Sequence, residues 1–131
     1  MPYFLLAHGT ALPYHNAMSS PVHSIVETTA FTAQLNKLEV TADERAAIYD
    51  TYASDPSYGA VVRNTGGLRK GRIAKDETGK SGGYRVFSFF ANAKCPVFLL
   101  WIIDKTKDAT LTAEQEKAFK KLTTELKKEC K

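Results

Sequence analysis

The chain has few of the residues that most often perform acid–base or metal chemistry. Its 131 residues include three histidines and two cysteines. His8 and His15 lie near the amino terminus and His23 begins an apolar segment, so we do not predict a histidine acid–base pair. Cys95 and Cys130 lack the ligand spacing of a zinc site. Without motif spacing, both cysteines are expected to be reduced thiols in preference to the alternative of a disulfide, and no metal site is predicted.

The sequence also lacks a long apolar run near its start. The apolar segment of residues 3–7 is too short to span a membrane, and no Lys or Arg precedes it as in a secretory signal. We therefore interpret residues 1–20 as an extension that is either flexible or created by an upstream start codon, with Met18 as the true start. Residues 21–131 form the single expected domain, with no membrane partner and a cytoplasmic location.

Positive charge is concentrated in the middle of the chain. Residues 63–108 contain ten Lys or Arg and four Asp or Glu, whereas residues 1–62 contain two and six. This asymmetry favours a polyanionic partner for the second half. It leaves RNA, DNA and an acidic protein open, although the basic half contains no recognisable DNA-reading helix.

Hydrophobic periodicity and turn residues predict the element order β-α-α-β-β-β-α. This order gives an α+β domain with a mainly antiparallel sheet of about four strands, two N-terminal helices and a C-terminal helix. Thr41 and Thr112 each begin a capping-box sequence. The predicted segments are strands at 23–28, 68–74, 84–91 and 97–103, and helices at 29–37, 41–53 and from 112 onward. The predicted buried faces contain Ala47, Ile48 and Tyr52 in the second helix, and Ala118, Phe119, Leu122 and Leu126 in the last.

Two basic strands are the strongest indication of function. Lys70 and Arg72 are two residues apart and therefore share one face of a strand. If the strands are adjacent, Arg85 and Lys105 converge on the same face or its rim. Such crowding of like charges is costly unless a polyanion binds there. The alternative is a solvated sheet surface on which scattered cations only increase solubility.

Three separated motifs resemble the RelE/HigB-like toxins of bacterial type II toxin–antitoxin systems. The similarity covers about residues 22–128 and is strongest in the first two motifs. The motifs are Thr65-Gly-Gly-Leu-Arg-Lys-Gly-Arg-Ile-Ala, Gly79-Lys-Ser-Gly-Gly-Tyr-Arg-Val, and Phe98-Leu-Leu-Trp-Ile-Ile-Asp-Lys followed by Leu111-Thr-Ala-Glu-Gln.

The resemblance implies a microbial RNase-type fold and a ribosome-dependent endoribonuclease that cleaves translated mRNA without a metal or other cofactor. By this resemblance, the catalytic residues are Lys70, Arg72 and Arg85. The substrate-binding candidates are Arg69, Lys80, Tyr84 and Lys105, with the Tyr84 ring available to stack on a base. The implied partners are the ribosome, mRNA and a cognate antitoxin with a helix-turn-helix, through which alone operator DNA is bound.

Two departures from the family pattern affect these expectations. RelE itself carries a C-terminal tyrosine that stacks on the substrate base, and residues 105–112 contain none, as in many HigB-like members. Gly71 stands where an apolar residue is usual, and we expect it to loosen its strand. The alternative hypothesis is therefore a non-catalytic module of the same fold that binds RNA or an antitoxin.

Overall fold

A computed structural model describes residues 23–75, 83–105 and 110–130. The predicted extension over residues 1–20 and most of the predicted glycine-rich loop lie outside the described residues. The elements are β1 (Ile25–Glu27), α1 (Thr29–Lys37), α2 (Ala42–Ser54), β2 (Ala60–Val61), β3 (Arg69–Ile73), β4 (Tyr84–Phe89), β5 (Val97–Asp104) and α3 (Ala113–Glu129). Across these residues, no helix has the length and apolar character needed to cross a membrane.

The strands form one mixed sheet in the order β1-β5-β4-β3-β2. In the described part of the chain, β1 and β5 pair in parallel and the other neighbouring strands are antiparallel. The predicted α+β class is thus confirmed, with five strands among the described residues rather than about four. The additional strand, β2, has two residues, which is too short to produce a hydrophobic period in the sequence. β5 lies between β1 and β4, as its almost entirely apolar sequence predicts for a strand covered on both faces.

The helices begin where the sequence predicts. The hydroxyls of Thr41 and Thr112 each accept a hydrogen bond from the backbone N–H three residues later, and the side chain of the Glu or Gln there accepts one from the Thr backbone N–H, so both capping boxes are formed. The predicted buried faces need correction. In α2, Ala47 is exposed and Glu44 is buried instead, because its carboxylate closes the capping box and accepts a hydrogen bond from the Tyr84 hydroxyl.

The buried side of α3 is also rotated from the predicted one. Ala118 and Leu122 are exposed, whereas Thr123 and Leu126 are buried. The Thr123 hydroxyl donates a hydrogen bond to the Thr65 carbonyl at 2.8 Å, which fixes this side of the helix against the chain before β3. The spacing of apolar residues cannot predict a buried threonine whose hydroxyl forms a hydrogen bond of this kind.

The two faces of the sheet carry separate apolar clusters. One lies under α1 and α2 and is formed by Ile25, Phe31, Leu35, Ile48, Tyr52, Ala53, Ile73, Tyr84, Val86, Val97, Leu99 and Ile102. The other lies under α3 and is formed by Val26, Leu68, Phe87, Phe89, Cys95, Phe98, Leu100, Ile103, Leu111, Leu126 and Cys130. We call these surfaces of the sheet the α1/α2 face and the α3 face. The strand alternation assigns each polar residue of β3 and β4 to one of them.

The cysteines are not reduced thiols, so that prediction was wrong. Cys95 and Cys130 form a disulfide with their Cα atoms 5.9 Å apart. The fold places the connection between β4 and β5 beside the end of α3, where the Asn92 side-chain amide also donates a hydrogen bond to the Cys130 carbonyl at 2.8 Å. The sequence separation of 35 residues gives no sign of this proximity.

Candidate functional site

Lys70, Arg72 and Arg85 lie on the α3 face and form what we call the cation cluster. In the register of β3 and β4, Arg72 is directly opposite Arg85 and Lys70 is opposite Phe87. The two basic strands are therefore adjacent, which is the condition on which the expected convergence of these cations depended. Lys70 and Arg72 are exposed and Arg85 is half-buried, so the cluster is open to solvent. Directly opposed cations on neighbouring strands repel each other, which makes the cluster electrostatically unfavourable without an anion.

The cation cluster contains no internal counterion within the described residues. The salt bridges between described residues lie outside the cluster. They join Arg45 to Glu27, Lys75 to Asp104, and Lys128 to Glu125. The buried Nε atom of Arg85 also lacks a hydrogen-bond partner among these residues. A buried donor without an acceptor is costly. An anion with several oxygens, such as a phosphodiester, would supply both the missing charge and the missing acceptor.

The apolar floor of the α3 face continues beside the cation cluster. Phe87 lies between Lys70 and Trp101 across three strands, and Arg85 is opposite Ile103. The Trp101 ring is half-buried and lies 6.4 Å, between ring centroids, from Phe119 of α3. Its buried Nε1 has no acceptor in the described part of the chain. α3 therefore covers the apolar part of this face and leaves Lys70 and Arg72 exposed.

The other predicted site residues are not part of the cation cluster. Arg69 alternates with Lys70 along β3, and its guanidinium donates a hydrogen bond to the Gly59 carbonyl at 3.0 Å. It borders an open depression of about 370 Å³ that Lys127 and Phe89 also line. Lys105 is half-buried just after β5, and its backbone N–H donates to the Gly83 carbonyl at 3.0 Å, at the sheet end where Tyr84 begins β4. Lys80 lies outside the described residues.

Tyr84 is placed on the opposite face from the cation cluster, under α1 and α2. Its side chain is 2 % exposed and its hydroxyl donates to the Glu44 carboxylate at 2.9 Å. The Lys75 ammonium lies 5.7 Å from the ring centroid. A ring packed in this way offers no free surface to a base, so the stacking role expected for Tyr84 does not fit its position. Strand alternation already separates Tyr84 from Arg85, and this signal could have corrected the expectation.

Sequence reasoning also missed Tyr58, whose hydroxyl donates a hydrogen bond to the Arg72 carbonyl at 2.8 Å. The only signal for it is Gly71, a glycine inside a strand, which often marks close approach of another group. No group of three or more His, Cys, Asp or Glu that could hold a metal ion is found within residues 23–75, 83–105 and 110–130.

A comparison with protein-family models identifies a family that this chain matches. The family described as "RelE toxin of RelE / RelB toxin-antitoxin system" matches residues 53–131. This range extends from the end of α2 to the end of the chain and contains the whole cation cluster. The chain therefore belongs to the RelE toxin family, as its three motifs predicted. It is a toxin of a toxin–antitoxin system, and that class implies an antitoxin partner.

Proposed function

We propose that this protein is a ribosome-dependent endoribonuclease that cleaves translated mRNA at the cation cluster. The observation that carries this proposal is the placement of Lys70, Arg72 and Arg85 together on an open sheet face, with no counterion for them among the described residues. Phosphodiester cleavage by the neighbouring 2′-hydroxyl requires removal of the hydroxyl proton, stabilisation of a dianionic phosphorane and protonation of the departing 5′-oxygen. Cations alone can meet these requirements if one of them exchanges protons.

Arg72 and Arg85 are assigned to the phosphate. Their guanidinium groups keep their charge and present paired donors that match two phosphate oxygens. Because they are directly opposite each other, they can hold the two non-bridging oxygens from adjacent strands. The buried Arg85 Nε, which lacks an acceptor among the described residues, gains one when the phosphate binds.

Lys70 is assigned to proton transfer. It is the cluster's only lysine, and an ammonium can release and regain a proton whereas a guanidinium remains protonated. It lies two residues from Arg72 on the same face of β3, so the proton-transfer group and the phosphate-binding group share one rigid strand. Lys105 lies at the nearby end of the sheet, and this position is compatible with a role in substrate binding.

We also propose that a helix-turn-helix antitoxin neutralises the toxin and that operator DNA is bound only through this partner. The competing function is a non-catalytic module of the same fold that binds RNA or an antitoxin. It is favoured by one observation: within the described residues, no tyrosine side chain is exposed on the α3 face to position a base. Primer extension on translated mRNA separates the two functions, because an enzyme produces discrete cuts and a binding module produces none.

The first prediction tests the cation cluster in cells. Lys70→Ala/Arg72→Ala/Arg85→Ala should abolish growth arrest after induced expression, because phosphate binding and proton transfer are removed together. A matched control, Lys37→Ala/Lys94→Ala/Lys117→Ala, removes the same charge from exposed positions outside the cluster and should remain toxic. Full toxicity of the cluster variant would contradict the proposal, as would equal loss in both triple variants.

A further inference from the structure

The turn after α2 packs directly against the strand that carries Lys70 and Arg72. The Tyr58 backbone N–H donates to the Asp55 carbonyl at 3.0 Å, which closes this turn. The Tyr58 hydroxyl then donates to the Arg72 carbonyl at 2.8 Å. Gly59, in the same turn, lies against the Lys70 carbonyl. The turn therefore contacts both neighbours of Gly71 in β3, Lys70 and Arg72.

Both glycines are required by this close approach. A Cβ atom on Gly71 would lie 2.5 Å from the Tyr58 ring and 2.9 Å from the Tyr52 hydroxyl. A Cβ on Gly59, whose φ is +97°, would lie 2.4 Å from the Lys70 carbonyl oxygen. The tyrosine rings themselves meet edge to face, with centroids 5.6 Å apart. The space where β3 lacks a side chain is thus filled by Tyr58 and Tyr52.

We propose that Tyr58 is a positioning residue that, together with Gly71, sets the place of Lys70 and Arg72 for RNA cleavage. This inference rests on the proposed ribonuclease function and deepens it. Gly71 does not loosen β3, contrary to the sequence expectation, because the strand is regular from Arg69 to Ile73 and the missing side chain is replaced by aromatic rings. Tyr58 touches the backbone of the site and is not itself assigned to substrate.

The position of β3 needs this support because its outer neighbour is short. β2 pairs only Ala60 with Lys70 and Val61 with Arg69, so its ladder ends before Arg72. The Tyr58 hydroxyl provides the next hydrogen bond along that edge. Small displacements of a catalytic group reduce rate steeply, and a shift of about 1 Å can lower it about a hundredfold. The Tyr58–Gly71 contact lies between Lys70 and Arg72 in β3, where a displacement of the strand would lower the cleavage rate.

Tyr58→Phe is the mildest test of the hydrogen bond to Arg72. It keeps the ring over Gly71 and removes the hydroxyl, so kcat for cleavage of ribosome-bound mRNA should fall roughly three- to tenfold. KM should change little, because the cations that attract RNA remain. The control is Tyr49→Phe, which removes a tyrosine hydroxyl bound to Glu27 at the end of β1, separated from β3 by β5 and β4, and should leave kcat unchanged.

Gly71→Ala measures the coupling between the two residues. With Tyr58 in place, the new methyl group displaces β3 and kcat should fall about a hundredfold. In a Tyr58→Ala background the ring is absent, so the same substitution should cost less than about tenfold, with the Tyr52 hydroxyl causing the remaining loss. Amide hydrogen exchange across β3 should accelerate in Tyr58→Phe and stay unchanged in Tyr49→Phe.

The outcomes separate this inference from the proposed function. The positioning role would be wrong if Gly71→Ala lowered kcat equally with Tyr58 and with Ala at position 58, or if Tyr58→Phe changed KM and left kcat unchanged. In either case, cleavage by the wild type would still support the proposed ribonuclease function. An inactive wild type would overturn the function instead, and hydrogen exchange would then decide the contact by itself. Exchange across β3 that is unaffected by Tyr58→Phe contradicts the inference whatever the cleavage result.

Discussion

Charged groups are paired on the α1/α2 face of the sheet, whereas those of the cation cluster on the α3 face form no salt bridge among the described residues. On the α1/α2 face the buried Glu27 carboxylate accepts hydrogen bonds from Thr32, Arg45 and Tyr49. The Asp104 carboxylate at the end of β5 is likewise paired, with Lys75. On the α3 face the cation cluster has no carboxylate within salt-bridge distance among the described residues. Paired groups hold the fold together, whereas unpaired ones of one sign are available for an external anion.

This difference separates stability from function. The Glu27 network ties β1 to both N-terminal helices, so it acts on the folded state itself. The cation cluster adds repulsion to the folded state and contributes only when a polyanion is bound. Sites that weaken the free protein in order to bind or react are a recurrent feature of functional surfaces. We therefore expect substitutions on the two faces to move stability and activity independently.

The second prediction, which has the largest expected effect on stability, compares Glu27→Ala with Arg72→Ala. Glu27 is 1 % exposed and its loss leaves four donor groups on three side chains without their acceptor, so the free energy of unfolding should fall by about 3–5 kcal/mol. Arg72 is exposed, and its loss should change that free energy by less than about 0.5 kcal/mol while nearly abolishing cleavage. Urea unfolding and cleavage are measured on both. A large stability loss from Arg72→Ala would contradict the contrast between the faces.

The third prediction concerns how α3 is held on its face. The disulfide closes a segment of 35 residues, and its loss should lower the free energy of unfolding by about 3–4 kcal/mol. Cys130→Ser and treatment of the wild type with a reductant should therefore lower the melting temperature by similar amounts. The reductant should not affect Cys130→Ser further. A melting temperature that is indifferent to reductant in the wild type would show that the two thiols are not joined.

The smallest expected effect is a pH dependence on the α1/α2 face. Burial raises the pKa of the Tyr52 hydroxyl above its ordinary value of about 10. The folded state therefore binds this proton more tightly than the unfolded state, so the associated stability is complete below pH 10 and is lost as the pH rises beyond it. Tyr52→Phe should reduce the steepness of alkaline unfolding. An identical pH profile for wild type and Tyr52→Phe would rule out this contribution.

Much of the fold could be predicted from local sequence because its elements carry strong local signals. The two capping boxes mark the starts of α2 and α3, and the apolar run of β5 marks the strand covered on both faces. β2 could not be predicted, because two residues carry no period. The disulfide could not be predicted either, since it depends on how the end of α3 meets the connection between β4 and β5.

The candidate site shows the same limit. Alternation along β3 placed Lys70 and Arg72 together, and adjacency of the basic strands brought Arg85 opposite Arg72. Tyr84 was misjudged because its position at a strand start was considered without the face toward which it points. Tyr58 was missed because a tyrosine in a turn gives no sign that its hydroxyl reaches the Arg72 carbonyl. Contacts between distant segments decide such details, and a single sequence does not display them.

The most direct test of the account is cleavage of ribosome-bound mRNA by the purified toxin in the presence of EDTA. Primer extension should show discrete cuts with the wild type, similar cuts with Lys37→Ala/Lys94→Ala/Lys117→Ala, and none with Lys70→Ala/Arg72→Ala/Arg85→Ala. Undiminished cuts from the last variant would contradict the assignment of phosphodiester chemistry to the cation cluster.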